Sequence, residues 1–301
     1  MNKVALILGF LVAALAGGCA SYSPTKFEKA VKYLDERDYT RAIELFKEWR
    51  EARGETLTIC YNLGVCYQDL AQYDEAVVWY ERALKYNPRD ARTLVNLAMV
   101  HIAQGRDVSA LSLLERAVTY ETDRAYPLVA LALFYQRQGQ MAKAGELYKK
   151  ATERESKSAY AWFHMATWHE RDQRFGDAAQ AYEKAAELDD TDPVAFEGAA
   201  RCFARLRNYS AASRNYDFAI SLAPERPSLY IEAADVMIEQ KRLERAAQYL
   251  WIARGLLPHE DTQLSDRLVK VYQLLAEQEQ AAADARANPP TVPPKPSGAG
   301  G

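Results

Sequence analysis

Small and large apolar residues recur along this chain with a fixed period. Alanine returns every 34 residues without an exception, at Ala42, Ala76, Ala110, Ala144, Ala178, Ala212 and Ala246. Four residues after each alanine comes an aromatic residue or leucine, at Phe46, Tyr80, Leu114, Tyr148, Tyr182, Tyr216 and Leu250. Because spacings of three and four place side chains on one helix face, each alanine predicts an amphipathic helix.

A second helix is predicted upstream of each alanine. Twelve residues before it lies another small residue, at Ala30, Gly64, Ala98, Ala132, Ala166, Ala200 and Ala234. Small residues allow two helices to approach closely, and the larger residue after the alanine fills the space beside them. Each unit of 34 residues is therefore predicted to be a helical pair.

These positions resemble those of the tetratricopeptide repeat, and the second unit carries the motif best, with Tyr61, Leu63, Gly64 and Tyr80. The resemblance implies an all-α, right-handed α-solenoid of helix-turn-helix repeats, as one array without an internal boundary. The expected repeats are residues 23–56, 57–90, 91–124, 125–158, 159–192, 193–226 and 227–260. A capping helix over 261–285, with Leu264, Leu268 and Val271, and a Pro/Gly-rich, disordered tail over 286–301 are expected to follow.

The first residues have the layout of a secretory signal, with Lys3, an apolar run and small residues before Cys19. The stretch from Leu15 to Cys19 resembles a bacterial lipobox, although Ala16 stands where a large aliphatic residue is commonest. The resemblance implies that residues 1–18 are removed, that Cys19 is lipidated (palmitate) and that 19–22 form a tether. Ala20 then implies the outer membrane, with the protein facing the periplasm. An ordinary signal peptide, with Cys19 a chance thiol, is the alternative.

Composition narrows the class of protein. The chain is 49% hydrophobic and 26% charged, with a formal net charge of -3 and no polybasic run. This balance is typical of a soluble-type protein, and it argues against nucleic acid as the main ligand. Cys60, Cys66 and Cys202 are expected to be small core residues, because an odd number cannot all pair in disulfides.

The sequence lacks the motifs of several enzyme classes, including a phosphate loop, a nucleophile elbow and a zinc helix. His164 and His169 are five apart, off the spacing that shares a metal, and the acidic run at Asp189 leads into Pro193 as a helix cap would. We therefore expect no enzyme activity, no metal, no cofactor and no small-molecule substrate. A metal-binding or enzymatic protein is the least favoured alternative.

The candidate binding site follows from the resemblance, because first helices line the groove of tetratricopeptide arrays. The corresponding residues are large and apolar in the early repeats and more charged later: Phe27, Tyr61, Val65, Val95, Met99, Ile102, Tyr126, Val129, Leu133, Arg137, Tyr160, Phe163, Arg171, Arg201 and Arg205. An exposed apolar stripe would suit an amphipathic helix or an extended apolar segment of another protein. The alternatives are coverage by the chain's own termini and, for the charged part, a solvated face of Glu and Arg pairs.

Together these features predict a scaffold without enzyme activity, anchored at the outer membrane, that binds another protein and assists assembly of an envelope complex. In architecture it resembles the pilotin-like lipoproteins of type IV pilus systems, which assist a secretin ring. An adaptor for cell-wall hydrolases or exopolysaccharide export is the alternative.

Overall fold

A computed structural model describes residues 25–259 and 261–287, without the side chains of 285–287. In this part of the chain all regular structure is helical, in fifteen helices. The first helices of the repeats are α1 (Lys26–Asp35), α3 (Leu57–Asp69), α5 (Ala91–Ala103), α7 (Tyr126–Arg137), α9 (Ala159–Arg171), α11 (Pro193–Arg205) and α13 (Pro227–Glu239). The helical-repeat fold class predicted from the sequence is confirmed.

The second helices of the repeats are α2 (Tyr39–Arg53), α4 (Tyr73–Tyr86), α6 (Asp107–Tyr120), α8 (Met141–Arg154), α10 (Phe175–Leu188), α12 (Tyr209–Leu222) and α14 (Leu243–Leu256). A longer helix, α15 (Thr262–Ala287), follows them. It runs two residues past the end expected for the capping helix. Leu264, Leu268 and Val271 are buried against α13 and α14.

The turn inside each repeat has the same backbone conformation throughout. Its fifteenth residue is left-handed in all seven repeats, at Arg37, Ala71, Gly105, Gly139, Gln173, Arg207 and Lys241. The next N–H bonds back to the carbonyl five residues earlier, as Gln72 does to Tyr67 at 2.9 Å. This is the Schellman arrangement, which satisfies the last carbonyls of the first helix and reverses the chain toward the second.

Close packing of the paired helices depends on the small residues. In the second repeat the ring of Tyr80 lies directly over Gly64, where an added Cβ would stand 2.5 Å from Cε1. Between successive repeats, the ring of Tyr182 on α10 lies over Gly198 on α11, 2.6 Å from where a Cβ would stand. All seven periodic alanines are fully buried, so the periodicity marks the helix interfaces.

The first helix is capped by Thr25: its side chain accepts from Glu28 N–H, and the Glu28 carboxylate accepts from Thr25 N–H at 2.7 Å. The described residues form two compact units, one ending at Glu155 and the other beginning at Ser156. The division falls directly after α8.

Some expectations fall outside the described residues. These are the signal peptide over 1–18, lipidation of Cys19, the tether over 19–22 and most of the tail over 286–301. Within the described part of the chain, no helix is both long and apolar enough to cross a membrane.

Candidate functional site

The apolar residues expected to line the groove of the first unit are mostly half-buried against its core. Val129 is fully buried and Val95 is 9% exposed, whereas Met99 is 38% exposed. Five others are partly buried and packed against two hydrophobic clusters: Phe27, Tyr61, Val65, Ile102 and Tyr126. Leu133 is also partly buried. Only Val95 and Val129 are thus buried, and the other side chains keep part of their surface accessible, so the apolar binding stripe of this unit stays a prediction.

Two examples give the physical reason. The ring of Phe27 lies 5.7 Å from the rings of both Phe46 and Trp49 on α2. Tyr61 lies 6.1 Å from the ring of Tyr80, and its hydroxyl accepts a hydrogen bond from Asn96 on the next repeat at 3.1 Å. These first helices thus pack both on the second helix of their own repeat and on the following repeat. This packing covers part of the apolar surface that was expected to be exposed.

Arg137, the cation expected in the groove of the first unit, is partnered. Its Nη1 donates to the carbonyl of Ile102 at 3.2 Å and lies 3.6 Å from Oδ1 of Asp107. Nη1 of Arg137 is therefore already engaged by groups of its own unit.

In the second unit, the predicted residues Tyr160 and Phe163 surround His164. Tyr160 is 38% exposed, and its ring lies 4.4 Å from the imidazole, with Phe163 at 5.6 Å. Burial lowers the pKa of His164 to about 4, so this histidine is neutral at neutral pH. The three rings form an aromatic cluster.

The metal hypothesis receives no support from the described residues. They contain no group of three or more His, Cys, Asp or Glu side chains arranged to hold a metal ion. His169 is buried beside Trp168, with its Nδ1 4.0 Å from Asp177. Asp189 accepts from Thr191 and Asp192 caps α11, so the acidic run closes one repeat and starts the next. Cys60, Cys66 and Cys202 are buried free thiols, as expected.

The strongest polar network of the second unit is centred on Glu170, a residue outside the predicted set. Arg201 donates to it from Nε at 2.7 Å and from Nη2 at 3.1 Å, and the hydroxyl of Tyr182 donates to it at 2.8 Å. Burial disfavours the carboxylate, but these bonds and the charges of Arg201 and Arg205 outweigh it, so the pKa of Glu170 is lowered. The network joins α9, α10 and α11.

A groove of about 630 Å³ lies beside this network. We call it the charged groove. Its walls are formed by α11, α12, α13 and α15, and its charged lining consists of Arg201, Arg205, Glu232, Asp235, Glu239, Arg267 and Lys270. The sequence predicted only the two arginines of α11 among these residues.

All three carboxylates that line the charged groove have a donor. Asp235 accepts from Arg267 Nη1 at 3.1 Å, Glu232 accepts from Tyr216 at 2.9 Å, and Glu239 from Tyr209 at 3.1 Å. Burial raises the pKa of both Glu232 and Asp235. The acidic row of α13 is thus largely satisfied by neighbouring helices.

Two other predicted cations have free donors. Arg171 and Arg205 end α9 and α11, both are exposed, and neither makes a hydrogen bond or ion pair with the described residues. Arg205 faces the charged groove, whereas Arg171 does not line it. Lys270 of α15, which the sequence reasoning missed, is a further such cation. The sequence pattern predicts α15 only as a cap, although its buried Leu264 and Leu268 continue the core pattern of the first helices.

Solved structures with the same fold share little sequence with this chain. An APC/C hetero-tetramer structure aligns with a TM-score of 0.59 at 14% identity, over 80% of this chain and 48% of that chain. The structure of Pseudomonas aeruginosa pilF aligns with a TM-score of 0.55 at 18% identity, over 77% and 99%. YrrB, described as a TPR protein with an unusual peptide-binding site, aligns with a TM-score of 0.52 at 18% identity, over 64% and 97%. At these identities the likeness concerns the fold.

Curated relatives match short stretches. One, a BBSome complex member of Mus musculus, is 36% identical over 64 residues, which is 21% of this chain and 12% of that protein. Another, a photosystem I assembly protein of Prochlorococcus marinus (strain MIT 9301), is 32% identical over 76 residues, 23% of this chain and 42% of that protein. The chain thus spans less than half the length of these relatives.

Family profiles cover most of the helical region. Profiles described as tetratricopeptide repeat match residues 58–90, 91–120, 129–193 and 198–259. These matches agree with the helical pairs, the left-handed turns and the buried alanines. The chain belongs to the tetratricopeptide repeat family.

Proposed function

We propose that this protein is an interaction scaffold without enzyme activity, which binds a segment of a partner protein in the charged groove of its second unit. The observation that carries the proposal is that groove: its cavity of about 630 Å³ is bounded by packed helices and retains cations without partners. Repeat proteins of this family generally act as protein-interaction scaffolds. The thiols of Cys60, Cys66 and Cys202 are buried, and the described residues contain no group of His, Cys, Asp or Glu side chains arranged to hold a metal ion.

The partner's chemistry differs from what the sequence alone suggested. An amphipathic helix or an apolar segment needs exposed apolar side chains, and those of the first unit are mostly half-buried against the core. A polar, charged segment matches the charged groove better. Crosslinking from photoreactive groups placed at Arg205 and at exposed Met99 tests this choice. Partner crosslinks from Met99 alone would contradict binding in the charged groove.

The proposal places the protein on the periplasmic face of the bacterial outer membrane, anchored by a lipid on Cys19. The support is the sequence from Leu15 to Cys19 and the Ala20 that follows it. Labelled palmitate should enter the wild-type chain and should not enter a Cys19→Ser variant. Separation of the inner and outer membranes then tests the proposed location. If the wild-type chain and the Cys19→Ser variant were both found in the soluble fraction, the proposed location would be contradicted.

Within the envelope we propose a role in assembling a larger complex, as in the pilotin-like lipoproteins that the architecture resembles. The fold likeness to Pseudomonas aeruginosa pilF over 99% of that chain supports this choice. Secretin multimers should fail to reach the outer membrane in a deletion strain, and the wild-type gene should restore them. Normal, membrane-inserted multimers in the deletion strain would contradict the pilotin-like role.

A further inference from the structure

We infer that the Pro-rich tail of this chain docks in an aromatic groove formed by α14 and α15, with Lys295 beside Glu244. We call this cleft the terminal groove, and its volume is about 600 Å³. It is lined by Glu244, Ala247, Gln248, Trp251, Ile252, Tyr272 and Leu275. None of these residues lines the charged groove, so the inference goes beyond the proposed function and does not depend on it.

The terminal groove lies where the repeat pattern ends. In a complete repeat the twelfth residue faces the second helix, as Gln68 does when it accepts a hydrogen bond from Tyr80. The twelfth residues of the seven repeats are all half-buried: Leu34, Gln68, Ile102, Gln136, Glu170, Ala204 and Ile238. Tyr272 holds this position on α15, which no second helix follows among the described residues, and it is 47% exposed. The face that a second helix covers elsewhere is therefore open on α15.

Two aromatic side chains are held together in the terminal groove. Nε1 of Trp251 donates to the hydroxyl of Tyr272 at 2.6 Å, and the guanidinium of Arg254 lies 5.3 Å from the centre of the indole ring. Trp251 and Ile252 are nevertheless 52% and 44% exposed. Repeat arrays usually end in a polar outer face, because an apolar end promotes association. An apolar, aromatic end of this kind marks a surface that another segment covers.

The tail has the chemistry that suits an aromatic groove. Residues 289–296 contain five prolines. Pro-rich segments favour the polyproline II conformation, so they dock in aromatic-lined grooves at a small cost in chain entropy. Proline also lacks an N–H, so fewer backbone donors lose water on docking. The segment that composition alone predicts to be disordered is thus suited to cover the terminal groove.

Charge favours the same pairing. Glu244 is the one charged side chain among the described residues that line the terminal groove. It is exposed, and its carboxylate makes no hydrogen bond or ion pair with the described residues. Lys295 is the only charged residue in the sequence from 288 to 301. An exposed pair of these two groups adds a modest attraction and fixes the register of the tail in the groove.

The tail is long enough to return to the terminal groove. Leu275 lies twelve residues before Ala287, the last residue of α15, so about 18 Å separate them along the helix. Residues 288–293 span that distance at about 3.1 Å each. The first two residues after α15 are Asn and Pro, a pair typical of a helix end and a change of direction. Because a short connection makes α14 antiparallel to α15, Glu244 lies toward the end of the groove that the returning tail meets first. Residues 293–296 then fall on the groove.

Photocrosslinking within the full chain, in uncharged detergent, tests the inference. p-Benzoylphenylalanine replaces Gln248, an exposed residue of the terminal groove. In a matched control it replaces Gln180, which is exposed at the same position of the fifth repeat. After irradiation and digestion with trypsin, the peptide that begins after Arg286 should be crosslinked to position 248 and not to position 180. Equal yields at the two positions, or no crosslink of this peptide to position 248, would overturn the inference.

Substitutions test the contacts one by one. Glu244→Lys and Lys295→Glu should each lower the yield of the crosslink about two- to fivefold, the range for an exposed ion pair, and the double variant should restore it. Tyr272→Gln, which introduces the residue found at Gln68 and Gln136, should lower the yield while the circular dichroism of the helices stays unchanged. A double variant that is weaker than either single one, or an unchanged yield in Tyr272→Gln, would contradict the proposed contacts.

Isotope labelling distinguishes the chain's own tail from the tail of a second copy. An equal mixture of ¹⁵N-labelled and unlabelled chain is irradiated. Crosslinks within one chain carry a single isotope, and their yield should not change when the protein is diluted. Crosslinks that join labelled to unlabelled peptides, with a yield that falls on dilution, would overturn docking of the tail within its own chain.

Discussion

Arg201 of α11 bonds to Glu170 of α9 through two parallel hydrogen bonds, 2.7 Å from Nε to Oε1 and 3.1 Å from Nη2 to Oε2. Tyr182 of α10 donates to the same carboxylate. One acidic side chain thus joins three successive helices beside the charged groove. Its removal should affect both the stability of the second unit and the shape of the groove wall.

Arg201→Ala should lower the free energy of unfolding by about 1–2 kcal/mol at neutral pH, less than for a fully buried pair because the arginine side chain is 40% exposed. The loss should depend on pH. Although burial opposes ionisation, the hydrogen bonds of Arg201 and Tyr182 hold the pKa of Glu170 below its ordinary 4.5. A lowered folded-state pKa stabilises the protein above the unfolded value and ceases to do so as pH falls through the folded one.

The measurement is denaturant unfolding of wild type and Arg201→Ala between about pH 7 and pH 3. The difference between them should shrink below about pH 4.5, with Arg171→Ala as a control that shows no such change. A difference that is constant across this range would show that Arg201 acts through packing of its stem and not through the Glu170 carboxylate.

A second relationship links two positions within each repeat. In several repeats the residue four positions after the periodic alanine is tyrosine, and its hydroxyl often donates a hydrogen bond to the twelfth residue of the repeat. The pairs are Tyr80 with Gln68 at 2.8 Å, Tyr148 with Gln136 at 3.0 Å and Tyr182 with Glu170 at 2.8 Å. Where it is Phe or Leu, the twelfth residue is apolar, as in Leu34, Ile102 and Ile238. Tyr216 faces Ala204 and bonds to Glu232 of the next repeat instead.

This pairing predicts a positive coupling between Tyr148 and Gln136. Tyr148→Phe and Gln136→Leu should each destabilise by about 1 kcal/mol, because each leaves the other polar group without its partner. The double variant recreates the Phe46 and Leu34 combination of the first repeat, so it should cost less than the sum of the two. Additive losses in a double-mutant cycle would show that the hydroxyl and the amide contribute independently.

The sequence was sufficient for the helices and insufficient for the groove. The period of 34 residues placed the alanines, and all seven are fully buried, because helix-pair packing repeats with the sequence. Met99 and Leu133 both hold the ninth position of their repeats, yet Met99 is exposed and Leu133 is partly buried. Their difference depends on which side chains of adjacent repeats cover them, and a per-repeat pattern carries no such information.

The ion pairs could not be predicted from the sequence for a related reason. The sequence shows that Arg201 and Glu170 belong to a face rich in Glu and Arg, but it does not show that they pair. Their bond depends on the side-chain conformations of two helices. Lys270 was missed because α15 lacks the periodic alanine that located the other helices. The covariation of the twelfth residue with the tyrosine was visible in the sequence, and it was the signal that would have located Glu170.

Close contact at Gly198 predicts a large effect of a single methyl group. Gly198→Ala would place Cβ 2.6 Å from the ring of Tyr182, which is 1% exposed and has little room to move. Overpacking of this kind costs about 1–3 kcal/mol. Gly255→Ala, also in a helix but with no atom within 4 Å of the new Cβ, should instead leave stability unchanged or raise it by up to about 1 kcal/mol. Similar Tm shifts in the two variants would contradict the contact.

The shared left-handed turn predicts opposite effects for a pair of substitutions. Gly105 has φ 73° and Ala71 has φ 57° at the same position of neighbouring repeats. A residue with a Cβ pays about 1–2 kcal/mol in this region. Gly105→Ala should therefore lower the free energy of unfolding by about 1 kcal/mol, and Ala71→Gly should raise it or leave it unchanged, since added chain entropy offsets part of the relief. Denaturant unfolding that gives both changes the same sign would refute the argument.

The buried thiols predict how the two units open. Burial raises the pKa of Cys60, Cys66 and Cys202 to about 12 each, so almost none is thiolate at about pH 8. In a Cys19→Ser background, iodoacetamide should modify all three in denaturant and none quickly in the native chain. Under native conditions each thiol should react at a rate set by opening of the helices around it, because closed helices exclude the reagent.

Peptide mapping over time then reports Cys60 and Cys66 for the first unit and Cys202 for the second. Arg201→Ala should speed modification of Cys202, its neighbour on α11, and should leave Cys60 and Cys66 at their wild-type rates. Equal acceleration at all three thiols would show that the Glu170 network stabilises the whole chain and not the second unit alone.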